Sequence, residues 1–197
     1  FRHKLPLKLT GLTAAVRVSL WQTFTATAHE LQPPCPYLMV NFRGVMRLVL
    51  LGAPGSGKGT QAARLREHLQ VPHISTGDLL RAAVAAGTPL GMQAKAVMEA
   101  GKLVSDDIVL GMLAERLTQA DAANGFILDG YPRNLAQANA LTELLARIGQ
   151  PMDLAVQLDV PNEAIIARCE IRFKQQGRAD DNPEVVRDRL RIYAENT

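Results

Sequence analysis

Along residues 46–197, short runs of consecutive apolar residues alternate with longer stretches in which apolar residues are spaced. The run Met46-Arg47-Leu48-Val49-Leu50-Leu51 predicts a strand. Gly125-Phe126-Ile127-Leu128-Asp129 and residues 153–160 predict two more. Between and after them the spacing predicts helices over 59–69, 75–86, 91–100, 105–120, 134–148 and 161–169, with a last one opening at Pro183. The boundaries carry their own signals. Ser75 with Asp78 three residues on reads as a capping box. Asp106 and Asp107 after Ser105 put negative charge at a helix's positive end. Gly87, Gly101 and Gly149 stop helices, and Pro161 opens one. Strands separated by helices need crossover connections, so the fold class is α/β with a parallel sheet.

Residues 1–45 follow another pattern. Leu12, Val16, Leu20 and Phe24 recur every four residues, which predicts a weak amphipathic helix. Pro-Pro-Cys-Pro at 33–36 breaks the segment, and its basic, Ser/Thr-containing composition also fits a transit peptide. Met46, at the head of a strand, makes a natural start. The expectation is an N-terminal extension over 1–45, disordered or non-native, followed by one domain over 46–197.

Charge sharpens this division. The chain of 197 residues carries a net +3, yet residues 1–45 hold five basic side chains (Arg2, Lys4, Lys8, Arg17, Arg43) and one acid, Glu30. The remainder is therefore slightly acidic, and overall basicity is no argument for nucleic-acid binding. With 47% hydrophobic and 21% charged residues the composition is globular, and no apolar run is long enough to span a membrane. Two cysteines, Cys35 and Cys169, build neither a disulfide framework nor a four-thiolate zinc site. Reduced thiols and a cytoplasmic location are expected.

The strongest chemical signal is Gly52-Ala53-Pro54-Gly55-Ser56-Gly57-Lys58-Gly59-Thr60, which follows a strand and opens a helix. Glycines let the backbone curl so that several N–H groups face one anion, and the helix N-terminus adds partial positive charge. Lys58 supplies a mobile cation. Gly55, Ser56, Gly57, Lys58, Gly59 and Thr60 are the candidate phosphate contacts. The hydroxyl comes one place late, on Thr60 rather than directly after Lys58.

Downstream lie Ile74-Ser75-Thr76-Gly77-Asp78-Leu79-Leu80-Arg81, Gly101-Lys102-Leu103-Val104 and Asp129-Gly130-Tyr131-Pro132-Arg133. With the glycine-rich loop, these segments in this order closely resemble the adenylate kinase family, almost continuously over 46–197. The resemblance implies a P-loop nucleoside monophosphate kinase core, a helical AMP-binding arm at about 75–104 and a short lid at about 170–183. It implies reversible phosphoryl transfer from MgATP to AMP giving two ADP, in a monomer that binds ATP, AMP and ADP and neither nucleic acid nor membrane. Such a transfer needs two anions held in line rather than a protein nucleophile or base. His68 and His73 accordingly read as surface or loop residues.

Carried over by position, Lys58, Arg133, Arg168, Arg172, Arg178 and Arg189 would be catalytic, with Arg168 also on ATP. Thr76, Arg81, Lys102, Leu103, Val104, Gly130, Arg133, Gln137, Arg178 and Arg189 would bind AMP, Gln137 reading the adenine. Asp129 and Asp78 would hold Mg2+ through water.

The sequence also departs from the family pattern. Ile171 stands before Arg172 where glycine is usual, and Asn134 follows Arg133 where threonine is frequent. The lid segment has no cysteines for zinc. The family normally continues beyond the position of Thr197 with another strand and helix, so the domain is expected to be C-terminally incomplete. A truncated nucleotide-binding remnant with little activity, or a pyrimidine monophosphate kinase, are the alternatives; Thr76 favours AMP. A GTP-hydrolysing switch lacks its Asn-Lys-x-Asp guanine reader here, and a motor ATPase lacks an acid after Asp129.

Overall fold

The computed structural model describes residues 15–20, 45–99, 104–177 and 179–196. In chain order the elements are β1 (Ala15–Leu20), β2 (Met46–Leu51), α1 (Lys58–Leu69), β3 (His73–Ser75), α2 (Thr76–Ala85), α3 (Pro89–Glu99) and α4 (Asp106–Leu117). After a short 3-10 turn at Ala120–Ala122 come β4 (Gly125–Asp129), α5 (Leu135–Arg147), β5 (Leu154–Asp159) and α6 (Asn162–Gln176). A second 3-10 turn, Ala179–Asp181, leads into α7 (Pro183–Asn196).

The sheet runs β1-β5-β2-β4-β3. β5, β2, β4 and β3 are mutually parallel, as the alternation of strand and helix requires. β1 lies antiparallel on the outer edge of β5. The helix expected around Val16 and Leu20 is therefore corrected over Ala15–Leu20: the chain is a strand there. The same residues also carry a two-residue alternation, Val16, Val18 and Leu20 with Arg17 and Ser19 between, and β-branched valines favour the extended form. β3, three residues long, was not expected from the pattern. α6 runs on to Gln176, past the expected end at 169, and stops where Gly177 takes a left-handed φ of 62°.

Helices pack apolar side chains on both faces of the sheet, and the two-residue period of β2 sorts its side chains between them. Val49 and Leu51 join Phe126 and Leu128 of β4 in a cluster with α2, α4 and α5 residues such as Leu80, Leu113 and Leu141. Leu48 and Leu50 join Ile127 and Val156 against Ala62 of α1 on the other face. All five residues of β4 are buried, which explains why it reads as an unbroken apolar run. Gly125 begins it at φ 115°, where a Cβ would lie 2.3 Å from the Met46 carbonyl oxygen. A third cluster, Ala53, Val160, Ile165, Cys169, Val186 and Leu190, binds α6 and α7 beneath the loop that follows β2. Among the described residues no helix is long and apolar enough to cross a membrane.

Candidate active site

The C-terminal ends of β2 and β4 open into one cleft of about 490 Å³, the place where parallel α/β sheets bind ligands. Beyond Leu51 the chain curls over Gly52–Gly57 and enters α1. Gly57 caps α1 without a side-chain hydrogen bond, and no acid sits in the first turn. The free N–H groups and dipole of the helix thus face the loop. Ser56 Oγ is buried without a partner, as is Nη2 of Arg168, whose Nη1 donates to the Ser56 carbonyl at 3.3 Å. Buried donors left open at a helix N-terminus are suited to an anion.

Lys58 donates from Nζ to the carbonyls of Gly52 (2.8 Å) and Ala53 (3.0 Å). Burial lowers its pKa to about 8; Arg133, Arg189 and Arg172 add to this and Asp129 opposes it. Arg81, Arg133, Arg172 and Arg189 line the same cleft. Arg133 donates from Nε to the Gly130 carbonyl at 2.7 Å. Burial, then Arg189, presses its pKa down to about 10, which leaves it charged at neutral pH.

The acidic side of the cleft is Asp129, 9% exposed at the end of β4. Its Oδ2 lies 3.5 Å from His73 Nε2. Among the described residues no three His, Cys, Asp or Glu form a metal cage. One carboxylate beside an anion site fits Mg2+, which takes few protein ligands and completes its shell with phosphate oxygens and water. Asp78 also lines the cleft, exposed, with its Oδ1 paired to Arg81.

The comparisons with known proteins decide the family. The family model described as adenylate kinase matches residues 50–197. An adenylate kinase of Stenotrophomonas maltophilia (strain R551-3) is 69% identical over 152 residues, covering 77% of this chain and 81% of the relative. One from Xanthomonas campestris pv. campestris (strain 8004) is 68% identical, and one from Xanthomonas oryzae pv. oryzae (strain MAFF 311018) 67%, each with the same coverage. The chain belongs to the adenylate kinase family. Its enzyme class is accordingly that of an ATP:AMP phosphotransferase, and its α/β sheet with helices is the core such kinases share.

Of the adenylate kinase positions expected from sequence, the cleft gathers Gly55, Gly57, Lys58, Gly59, Thr60, Asp78, Arg81 and Val104 from the first half of the domain. It gathers Asp129, Gly130, Arg133, Gln137, Arg172 and Arg189 from the second. Ser56, within the loop, and Arg168, which donates to its carbonyl, do not line the cleft. Thr76 does not line the cleft: it is buried beneath it, its hydroxyl donating to the Asp129 carbonyl at 3.4 Å. Lys102, Leu103 and Arg178 lie outside the described residues. Ile171 is 56% exposed on α6, away from any close approach. Asn134 is the N-cap of α5, accepting from the Gln137 N–H at 2.8 Å. Ser75 caps α2 by accepting from the Asp78 N–H at 3.3 Å.

Sequence reasoning missed several neighbours of the site. His73, read as a surface or loop residue, lines the cleft. Asp180 and Asp181, read only as part of a polar lid, engage the arginines. Asp180 Oδ2 lies 2.9 Å from Arg189 Nη1 and 3.9 Å from Arg81 Nη1. Asp181 is fully buried on Arg172. An acid pair following Arg172 by eight and nine residues was the available signal.

Proposed function

We propose that this cleft catalyses reversible transfer of the terminal phosphoryl group of MgATP to AMP, giving two ADP, for adenine nucleotide balance in the cytoplasm. One observation carries the reading. Lys58, Arg81, Arg133, Arg172 and Arg189 come from separate segments and converge on one cleft beside a helix N-terminus. Asp78, Asp129, Asp180 and Asp181 offset part of this charge; the remainder suits a polyanion, and two nucleotides bring several phosphates.

In this reading the chain's work is binding and alignment. The loop N–H groups, Lys58 and Arg168 hold the ATP phosphates, with Gly59 and Thr60 at the start of α1. Arg81 and Arg133 hold the AMP phosphate. Val104, Gly130 and Gln137 line its nucleoside site, with Thr76 supporting Gly130 from beneath and Lys102 and Leu103 next to Val104 in the chain. Arg172, with Arg168, covers the ATP phosphates, and Arg178 and Arg189 close on the group in transfer. The bond from the terminal phosphorus to its bridging oxygen breaks as one forms to an AMP phosphate oxygen. That oxygen is already ionised, so no side chain need remove a proton. Asp129, with Asp78 through water, would hold Mg2+, which supplies charge neutralisation to the phosphates. A monomer over 46–197, with an arm near 75–104 and a lid near 170–183, fits this cycle of closing and opening.

The test is ADP formation from ATP, Mg2+ and AMP, with CMP, UMP and GMP as parallel acceptors. AMP-selective turnover that falls at least a hundredfold in Lys58→Met is expected. Turnover with CMP or UMP exceeding that with AMP, or near-normal turnover in Lys58→Met, would overturn the assignment.

A further inference from the structure

The side-chain amide of Gln137 is locked in one orientation. Gln137 is 4% exposed and lines the cleft. Its Oε1 accepts the backbone N–H of Arg133 at 2.6 Å, and its Nε2 donates to Asp106 Oδ1 at 2.7 Å. A backbone N–H can only donate, and an ionised carboxylate can only accept. Turning the amide over would set NH₂ against N–H and oxygen against carboxylate, two repulsions in place of two hydrogen bonds. The residue's own N–H is anchored on Asn134.

Locked this way, Gln137 keeps one lone pair on Oε1 and one N–H on Nε2 for a ligand, an acceptor beside a donor. A 6-aminopurine offers the complement on its pairing edge: an exocyclic amine that donates and a ring nitrogen that accepts. A 6-oxopurine offers the reverse, an oxygen that accepts and a ring N–H that donates. An amide free to turn over reads both; a fixed one reads only the first.

We propose that Asp106 is a specificity-determining positioning residue, which holds the Gln137 amide so that the acceptor site takes 6-amino over 6-oxo purine monophosphates. This rests on the reading above that Gln137 faces the acceptor base. Asp106 sits exposed in the first turn of α4 and does not line the cleft, so it acts through Gln137. The Arg133 N–H remains as the second half of the lock, so losing Asp106 weakens discrimination without abolishing it.

The experiment compares kcat/KM for AMP and for inosine monophosphate, which differ at that edge, at saturating ATP. It uses the full chain and the variants Asp106→Leu, Asp106→Asn and Gln137→Ala. Asp106→Leu removes the acceptor, and the AMP preference is expected to fall about tenfold or more, through a higher KM for AMP and a gain with the inosine nucleotide. Asp106→Asn keeps an acceptor oxygen and is expected to hold the preference within about threefold. The KM for ATP stays at its starting value in both, while the melting temperature falls slightly in both as the first turn of α4 loses a negative charge. Calorimetric binding of the two monophosphates gives the same ratio where turnover is slow. An unchanged ratio in Asp106→Leu, or equal losses for both acceptors, overturns the proposal. An unchanged ratio in Gln137→Ala shows instead that the base is read elsewhere and overturns the reading beneath it.

Discussion

Asp181 has no exposed surface, and both its carboxylate oxygens accept from Arg172, at 2.5 Å each. The pair fastens α6 to the turn before α7, and the hydrogen bonding raises the pKa of Arg172. Removing one partner of such a pair strands the other. Arg172 keeps 31% exposure and can recover some hydration, so Asp181→Ala is expected to cost about 2–3 kcal/mol, below the usual 3–5 for a fully buried pair. Arg172→Ala leaves the carboxylate in the interior and is expected to cost at least as much. Urea unfolding of both variants measures this; midpoints within error of the parent would refute it.

The lowered pKa of Lys58, about 8, gives two pH effects of known sign. An unfolded lysine titrates near 10.5, so between pH 8 and 10.5 the unfolded chain binds more protons than the folded one. Stability without ligand from this group therefore rises with pH across that window, as the penalty of a buried charge is relieved. A phosphate anion favours the charged lysine, so nucleotide binding above pH 8 takes up a proton and weakens as pH climbs. Calorimetry of ATP binding at pH 8.5, in two buffers of different ionisation heat, should show net proton uptake. Lys58→Met should show none. Zero uptake in the parent chain would remove the basis of both effects.

What could be read from sequence was what is written locally. β2 and β4 were legible because burial on both faces makes them apolar throughout, and the loop at Gly52–Thr60 because its chemistry lies in consecutive residues. β3 was not, because His73–Ser75 is extended only through pairing with β4, at residues some fifty positions away. β1 was misread because its residues satisfy a period of four and of two alike, and its partner β5 decides between them. In the site the arginines were legible by position. Contacts behind other site residues were not: Asp106 meets Gln137 across 31 residues and His73 meets Asp129 between strands, and neither leaves a mark in the local pattern.

Gly55 shows how tightly the loop is held from below. It sits at φ +83°, and a Cβ there would lie 2.6 Å from Cys169 Sγ and 2.9 Å from Ile165 Cγ2. Gly55→Ala therefore combines left-handed strain with a clash, together about 2–4 kcal/mol. Cys169→Ala alone removes a small buried side chain for about 1 kcal/mol. In the double variant the sulfur is gone, so the losses should not add, and a coupling of about 1 kcal/mol is expected. Thermal unfolding of the four chains closes the cycle; strict additivity would mean that the loop moves away from α6 rather than pressing on it.

Leu20 and Leu48 flank Leu154 from opposite sides, one in β1 and one in β2. With strands about 4.8 Å apart, Leu20 and Leu48 lie about 10 Å from each other. β1 pairs with β5 along its whole length, where an open edge would otherwise offer unpaired N–H and C=O groups to another chain. In an antiparallel ladder alternate residues exchange the hydrogen bonds. Of the two double variants Val16→Pro with Val18→Pro and Arg17→Pro with Ser19→Pro, one therefore removes ladder donors more heavily than the other. Amide hydrogen exchange in β5 should rise about tenfold or more in that variant, at alternate positions only, while β2 and β4 stay protected. Concentration-dependent self-association should accompany it as the edge opens. Equal protection of β5 in both variants and the parent would show that β1 does not hold this edge in solution.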